Sequence, residues 1–105
     1  MRFNSVDRRR EPRFLVESNA RVIGRGAAQA GTIVDVSDHG LGLSVPQAPC
    51  KKGETLKVCV DHAVITGKLK YCRRIGSEYA AGLELKHRLN EGQVRALLAE
   101  FVAQC

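Results

Sequence analysis

Two short clusters hold the residues able to do chemistry. Arg8-Arg9-Arg10-Glu11-Pro12-Arg13 sets four arginines around a proline, and Asp35-Val36-Ser37-Asp38-His39-Gly40 gathers carboxylates, a hydroxyl and a glycine. Planar guanidinium forks bind phosphate oxygens two at a time, match the O6/N7 edge of guanine and stack on purine rings. A carboxylate accepts hydrogen bonds such as those from guanine N1–H and N2–H, and a glycine lets backbone come close to a ligand. Together the clusters describe a guanine-nucleotide site with neither a metal nor a nucleophile. Each alone says little. An arginine run is usually a solvated tail, and D-x-S-x-x-G is usually a strand end with a side-chain-capped turn and a glycine at positive φ.

The elements that must position these residues are legible as alternation and punctuation. Residues 1–7 read as a flexible arm, and Pro12 keeps Glu11 out of the helical region, so the arginine run is no helix interior. Six strand-like stretches follow, at 14–24, 31–37, 41–45, 54–61, 63–74 and 77–86, separated by turn residues such as Gly24-Arg25-Gly26 and Asp38-His39-Gly40. Leu56, Val58 and Val60 face one way, as do Tyr79, Ala81, Leu83 and Leu85; in the fifth stretch Ala63, Ile65, Leu69 and Tyr71 oppose Thr66, Lys68, Lys70 and Cys72. That period-two pattern belongs to half-buried strands. At Asn90 the period changes. Asn90 and Gln93 form a capping box, Leu89 and Val94 a hydrophobic staple, and Val94, Leu97, Leu98, Phe101 and Val102 the apolar stripe of a short helix. So short a helix is marginal alone and must dock on the strands, over one open end. The prediction is all-β: a six-stranded antiparallel β-barrel with a C-terminal α-helix.

Composition narrows the function. The 105 residues suit one domain, and the net charge of +6 is concentrated at the start, where residues 1–13 hold five arginines against Asp7 and Glu11. A positive excess points to phosphates or another anionic partner. No apolar run reaches the roughly 18–20 residues that cross a bilayer, so no membrane insertion is expected. The first residues lack a signal-peptide core, and a cytoplasmic location is the expectation. Cys50, Cys59, Cys72 and Cys105 lack metal-site spacing and read as reduced thiols. Ser37 lacks a clear base and oxyanion partner, so an enzyme is not expected. The alternative is a small-barrel single-stranded nucleic-acid-binding protein, which needs exposed aromatic platforms. Phe14, Tyr71, Tyr79 and Phe101 all fall on apparent core faces, so no DNA or RNA is expected. Lys51-Lys52 and Arg73-Arg74 read as solvated loop and edge charges.

In this setting the two clusters resemble the motifs of a known family. Arg9-Arg10-Glu11-Pro12-Arg13 matches RxxxR and Asp35 to Gly40 matches [D/N]xSxxG of PilZ domains, with 21 residues between Arg13 and Asp35. Tyr79 to Leu85 looks like the family's late strand, and residues 8–102 cover the domain, leaving 103–105 as a tail. The resemblance implies the six-stranded barrel with its C-terminal helix, and binding of the bacterial second messenger cyclic di-GMP without a cofactor. It implies that Arg9 and Arg13 grip guanine edges and phosphates, with Arg8 and Arg10 adding contacts. Asp35 and Ser37 would meet the ligand from the barrel, and Gly40 would hold the turn open. Some members place a tryptophan against the base; this chain has none. Members take the ligand singly or as a stacked pair, and Arg8 adds a guanidinium face that favours the pair. Binding would order the arm and change the surface shown to a protein effector of unknown identity, in motility, exopolysaccharide or biofilm control.

Overall fold

β-branched and aliphatic residues at every second position build six strands: β1 (Phe14–Gly24), β2 (Ala27–Ser37), β3 (Gly40–Val45), β4 (Thr55–Val60), β5 (Ala63–Ile75) and β6 (Glu78–Leu85). The computed structural model describes residues 13–61 and 63–103. Every neighbouring pair is antiparallel, and the sheet closes in the order β1-β2-β3-β6-β5-β4. The closure is uneven: β1 meets β4 over only Arg21, Val22 and Ile23, and β2 meets β3 only from Thr32 onward. The inward residues, among them Val22, Ile33, Leu41, Leu43, Leu56, Ile65 and Leu83, form one buried cluster.

β2 begins at Ala27, four residues before the stretch read from its sequence. Alanines have weak strand propensity, but a two-residue turn holds them in register. Arg25 (φ 55°) and Gly26 (φ 79°) both lie in the left-handed region, as a type I′ hairpin requires.

The alternation fails in three places. In β5 the pairing with β6 shifts between Leu69 and Tyr71. A bulge of this kind puts every later side chain on the opposite face. Tyr71 therefore stands outside, 45% exposed, instead of in the core, and Cys72 turns inward to pack on it. Phe14 is also 60% exposed rather than buried. It opens β1 just ahead of a second register shift, between Leu15 and Ser18. The third departure is Val94, considered with the helix. Tyr79 packs against the core as expected.

The helix α1 (Glu91–Ala103) starts at the expected capping box: Gln93 N–H donates to Asn90 Oδ1 at 2.8 Å, and Asn90 N–H to Gln93 Oε1 at 2.9 Å. Leu97 is fully buried in the barrel cluster, while Val94 remains 38% exposed. Gln93 Nε2 donates to the Val64 carbonyl at 2.9 Å, which turns the face carrying Gln93, Ala96 and Leu97 toward the barrel and Val94 away. Side chains from residue 98 onward, including Leu98, Phe101 and Val102, lie outside the described residues.

Buried Ser18 pins α1 to β1, its Oγ donating to the Leu97 carbonyl at 2.6 Å. Ser18→Ala is expected to destabilise the fold by about 1 kcal/mol. Urea denaturation reads this as a lowered midpoint; an unchanged midpoint would show that the contact contributes nothing.

Cys50, Cys59 and Cys72 are free, half-buried thiols, while Cys105 lies outside the described residues. Burial raises the pKa of Cys50 and Cys72 above the ordinary thiol value, and the Glu54 carboxylate raises Cys50 further. Among the described residues no group of three or more His, Cys, Asp or Glu side chains could hold a metal ion, and no helix is long and apolar enough to cross a membrane.

Candidate functional site

The site is assembled where β1 begins and β2 ends. The pairs Phe14↔Val36 and Leu15↔Asp35 lay the start of β1 along the last residues of β2. Arg13, one residue upstream, is thereby carried beside Asp35, and its Nη1 forms an ion pair with Asp35 Oδ1 across 22 positions of sequence. Both side chains are about three-quarters buried. The Arg13 Nε is buried too, without a hydrogen-bond partner among the described residues.

Ser37 pairs with Gly40 across the Asp38-His39 turn. Gly40 is not at positive φ, contrary to the turn reading of its motif. What it supplies is space. A Cβ there would sit 3.1 Å from Ser37 Oγ, crowding it, and would touch Arg13 Nη2 at 3.4 Å. The structure thus brings Arg13, Asp35, Ser37 and Gly40 together. Arg8, Arg9 and Arg10 lie outside the described residues.

Three residues of this surface escaped the sequence reading. Asp35 pairs with Gly42, Gly42 with Gly82, and Gly82 with Tyr71, making one row across β2, β3, β6 and β5. Neighbouring strands lie about 4.8 Å apart, so the row spans roughly 14 Å. The Asp35 carboxylate lies over Gly42 and the Tyr71 ring over Gly82; a Cβ would come within 2.7 Å of the first and 2.2 Å of the second. The two glycines thus let the Asp35 carboxylate and the Tyr71 ring lie low against the sheet, one at each end of a shallow trough. Arg13 and Asp35 wall one side and Tyr71 the other. The signal was available in part: Gly40 and Gly42 stand two apart on one strand, hence on one face, and glycine inside a strand often marks a close approach.

The turn at the trough's end is tied to the helix. Asp38 Oδ2 accepts from Arg88 Nη2 at 2.7 Å, the Leu85 N–H donates to the His39 carbonyl at 2.8 Å, and the Leu89 N–H reaches the Asp38 carbonyl at 3.4 Å. Residues 85–89 lead directly into the Asn90 cap. Three contacts thus join the turn to the segment that opens α1.

Solved structures share this fold. The inhibitor of motility MotI/DgrA of Bacillus subtilis superposes with a TM-score of 0.66 at 12% identity, over 93% of this chain and 52% of that one. YcgR of Escherichia coli in complex with c-di-GMP gives 0.61 at 13% identity, over 93% of this chain and 46% of that one. The PilZ domain of YcgR with c-di-GMP gives 0.58 at 16%, over 93% and 95%. This chain spans about half the length of the first two. No curated protein sequence matches it. The family model that does match is the PilZ domain, and it runs from residue 7 to residue 104, nearly end to end. On that match, which spans almost the whole sequence, this chain belongs to the PilZ domain family.

Proposed function

We propose that this chain is a non-catalytic receptor for cyclic di-GMP. The observation that carries the reading is the Arg13–Asp35 ion pair beside the trough. It sets a guanidinium for phosphate or the guanine O6/N7 edge next to a carboxylate for N1–H and N2–H. The likeness in fold to two YcgR structures holding c-di-GMP supports it. Tyr71 takes the place of the absent tryptophan as the aromatic surface for a base. Arg8, Arg9 and Arg10 close over the bound ligand, with Ser37 and Gly40 shaping the turn beneath.

The link from Asp38 through Arg88 and Leu89 carries ligand occupancy from the turn to α1, and so to the surface offered to a protein effector. In this reading the chain is a bacterial cytoplasmic adaptor in motility, exopolysaccharide or biofilm control.

One observation favours a second reading. Phe14 and Tyr71, placed in the core by alternation, are exposed, as single-stranded nucleic-acid binding requires. Salt separates the two. Titration calorimetry with cyclic di-GMP is expected to show saturable binding that changes little between about 50 and 200 mM salt, because two phosphates release few counterions. A nucleic-acid binder touching 6–10 phosphates loses about 10³–10⁵ in affinity over that range. Absence of heat with cyclic di-GMP, alongside salt-sensitive binding of an oligonucleotide, would overturn the receptor reading.

A further inference from the structure

We propose that Arg73 is an anion contact on the β5 wall of the trough, taking a phosphate of the bound cyclic dinucleotide from the side opposite Arg13. This rests on the receptor reading above.

The β5 shift at Leu69/Tyr71 puts Tyr71, Arg73 and Ile75 on the outer face and leaves Cys72 and Arg74 in the other phase. Arg73 pairs with Ala80, Ala80 with Ser44, and Ser44 with Thr32. This second row lies beside the row ending in Tyr71, two residues and about 7 Å further along the strands. Ala80 carries only a methyl group, while over Ser44 the Glu78 carboxylate accepts from the hydroxyl at 2.6 Å. A ligand whose base rests on Tyr71 meets Arg73 next along β5, on the Ala80 side of the row and away from the Glu78–Ser44 bond.

Charge favours the same assignment. Arg13 is already compensated by Asp35. Glu78, the acid nearest along that face of β6, accepts from Ser44 Oγ at 2.6 Å. Arg73 forms no ion pair among the described residues. Among the described residues it is an uncompensated guanidinium beside Tyr71, and such a group gains more from a phosphate than one already paired. Its sequence neighbour differs. Arg74 spends its Nε on the Gly76 carbonyl at 3.1 Å, inside its own turn.

The two adjacent arginines therefore make a controlled test. Calorimetry with cyclic di-GMP is run on the wild-type chain and on Arg73→Ala, Arg73→Lys and Arg74→Ala, with circular dichroism to show that each is folded. Arg73→Ala is expected to weaken binding about tenfold or more, as loss of a charged hydrogen bond does. Arg73→Lys should recover part of the loss by keeping a point charge, and Arg74→Ala should bind within about twofold of wild type. The affinity of Arg73→Ala should also fall less steeply with salt. If wild type binds and Arg73→Ala binds equally well, or if Arg74→Ala loses as much, the assignment is overturned while the receptor stands. If wild type does not bind, both fall together.

Discussion

Arg13→Ala is expected to weaken cyclic di-GMP binding about 5–150-fold, the range of a bidentate arginine–guanine contact, while leaving the barrel folded. The ion pair it removes is about one-quarter exposed on both sides. Because both side chains are about three-quarters buried, the variant strands the Asp35 carboxylate, and circular dichroism is needed to show the barrel folded before the loss is read as binding. Asp35→Ala should produce a loss of similar order by two routes, since it deletes the guanine acceptor and releases Arg13 from its position. Because the two side chains touch, the losses should not add. A double-mutant cycle of Arg13→Ala and Asp35→Ala should show a coupling above about 0.5 kcal/mol, with the double variant binding better than the summed losses predict. Arg9→Ala, the other motif arginine, should fall in the same 5–150-fold range. Calorimetry giving wild-type affinity for both Arg13→Ala and Asp35→Ala would remove the site.

How much of this was readable before the fold was known depends on how local the signal is. The capping box of Asn90 and Gln93 is a contact between residues three apart, and it appears in the structure as read. The six strands were visible because burial imposes period two on each strand separately. The meeting of Arg13 and Asp35 at one site was implied by the resemblance to PilZ domains, and the structure adds the ion pair itself. What escaped depends on single irregularities or on distant pairing. One extra residue in β5 reverses the faces of Tyr71, Cys72 and Arg73, and nothing in Lys70-Tyr71-Cys72 announces it. Alternation carried past that point put an aromatic in the core and left an outward arginine as a mere edge charge. Gly42 and Gly82 are 40 positions apart and meet only because β3 neighbours β6, an order that alternation within a strand does not encode. Val94 matched the helical stripe, yet a side chain–backbone bond from Gln93 to Val64 sets the helix's rotation and leaves it exposed.

The two glycines yield a test in which no ligand-contacting group is removed. A Cβ on Gly42 would lie 2.7–2.8 Å from the carboxylate atoms of Asp35, closer than a real Cβ approaches anything. Gly42→Ala must therefore displace that carboxylate from its place beside Arg13, and binding should fall toward that of Asp35→Ala. On the other wall, a Cβ on Gly82 would meet the Tyr71 ring at 2.2 Å and force it off the strand. Stacking of a base on an aromatic side chain contributes about 1–3 kcal/mol, so Tyr71→Ala should cost roughly 5–150-fold and Tyr71→Phe little. If the ring acts from the place where it lies, Gly82→Ala alone should approach the loss of Tyr71→Ala. The double variant Gly82→Ala/Tyr71→Ala should then bind no worse than Tyr71→Ala, because the added methyl has no ring left to move. Neither glycine is at positive φ, so alanine suits the backbone at both positions and the barrel should persist by circular dichroism. A folded Gly82→Ala protein with wild-type affinity would show that the base does not rest on Tyr71. The same result for Gly42→Ala would show that Asp35 does not act from the position over Gly42 that its pair with Arg13 now fixes.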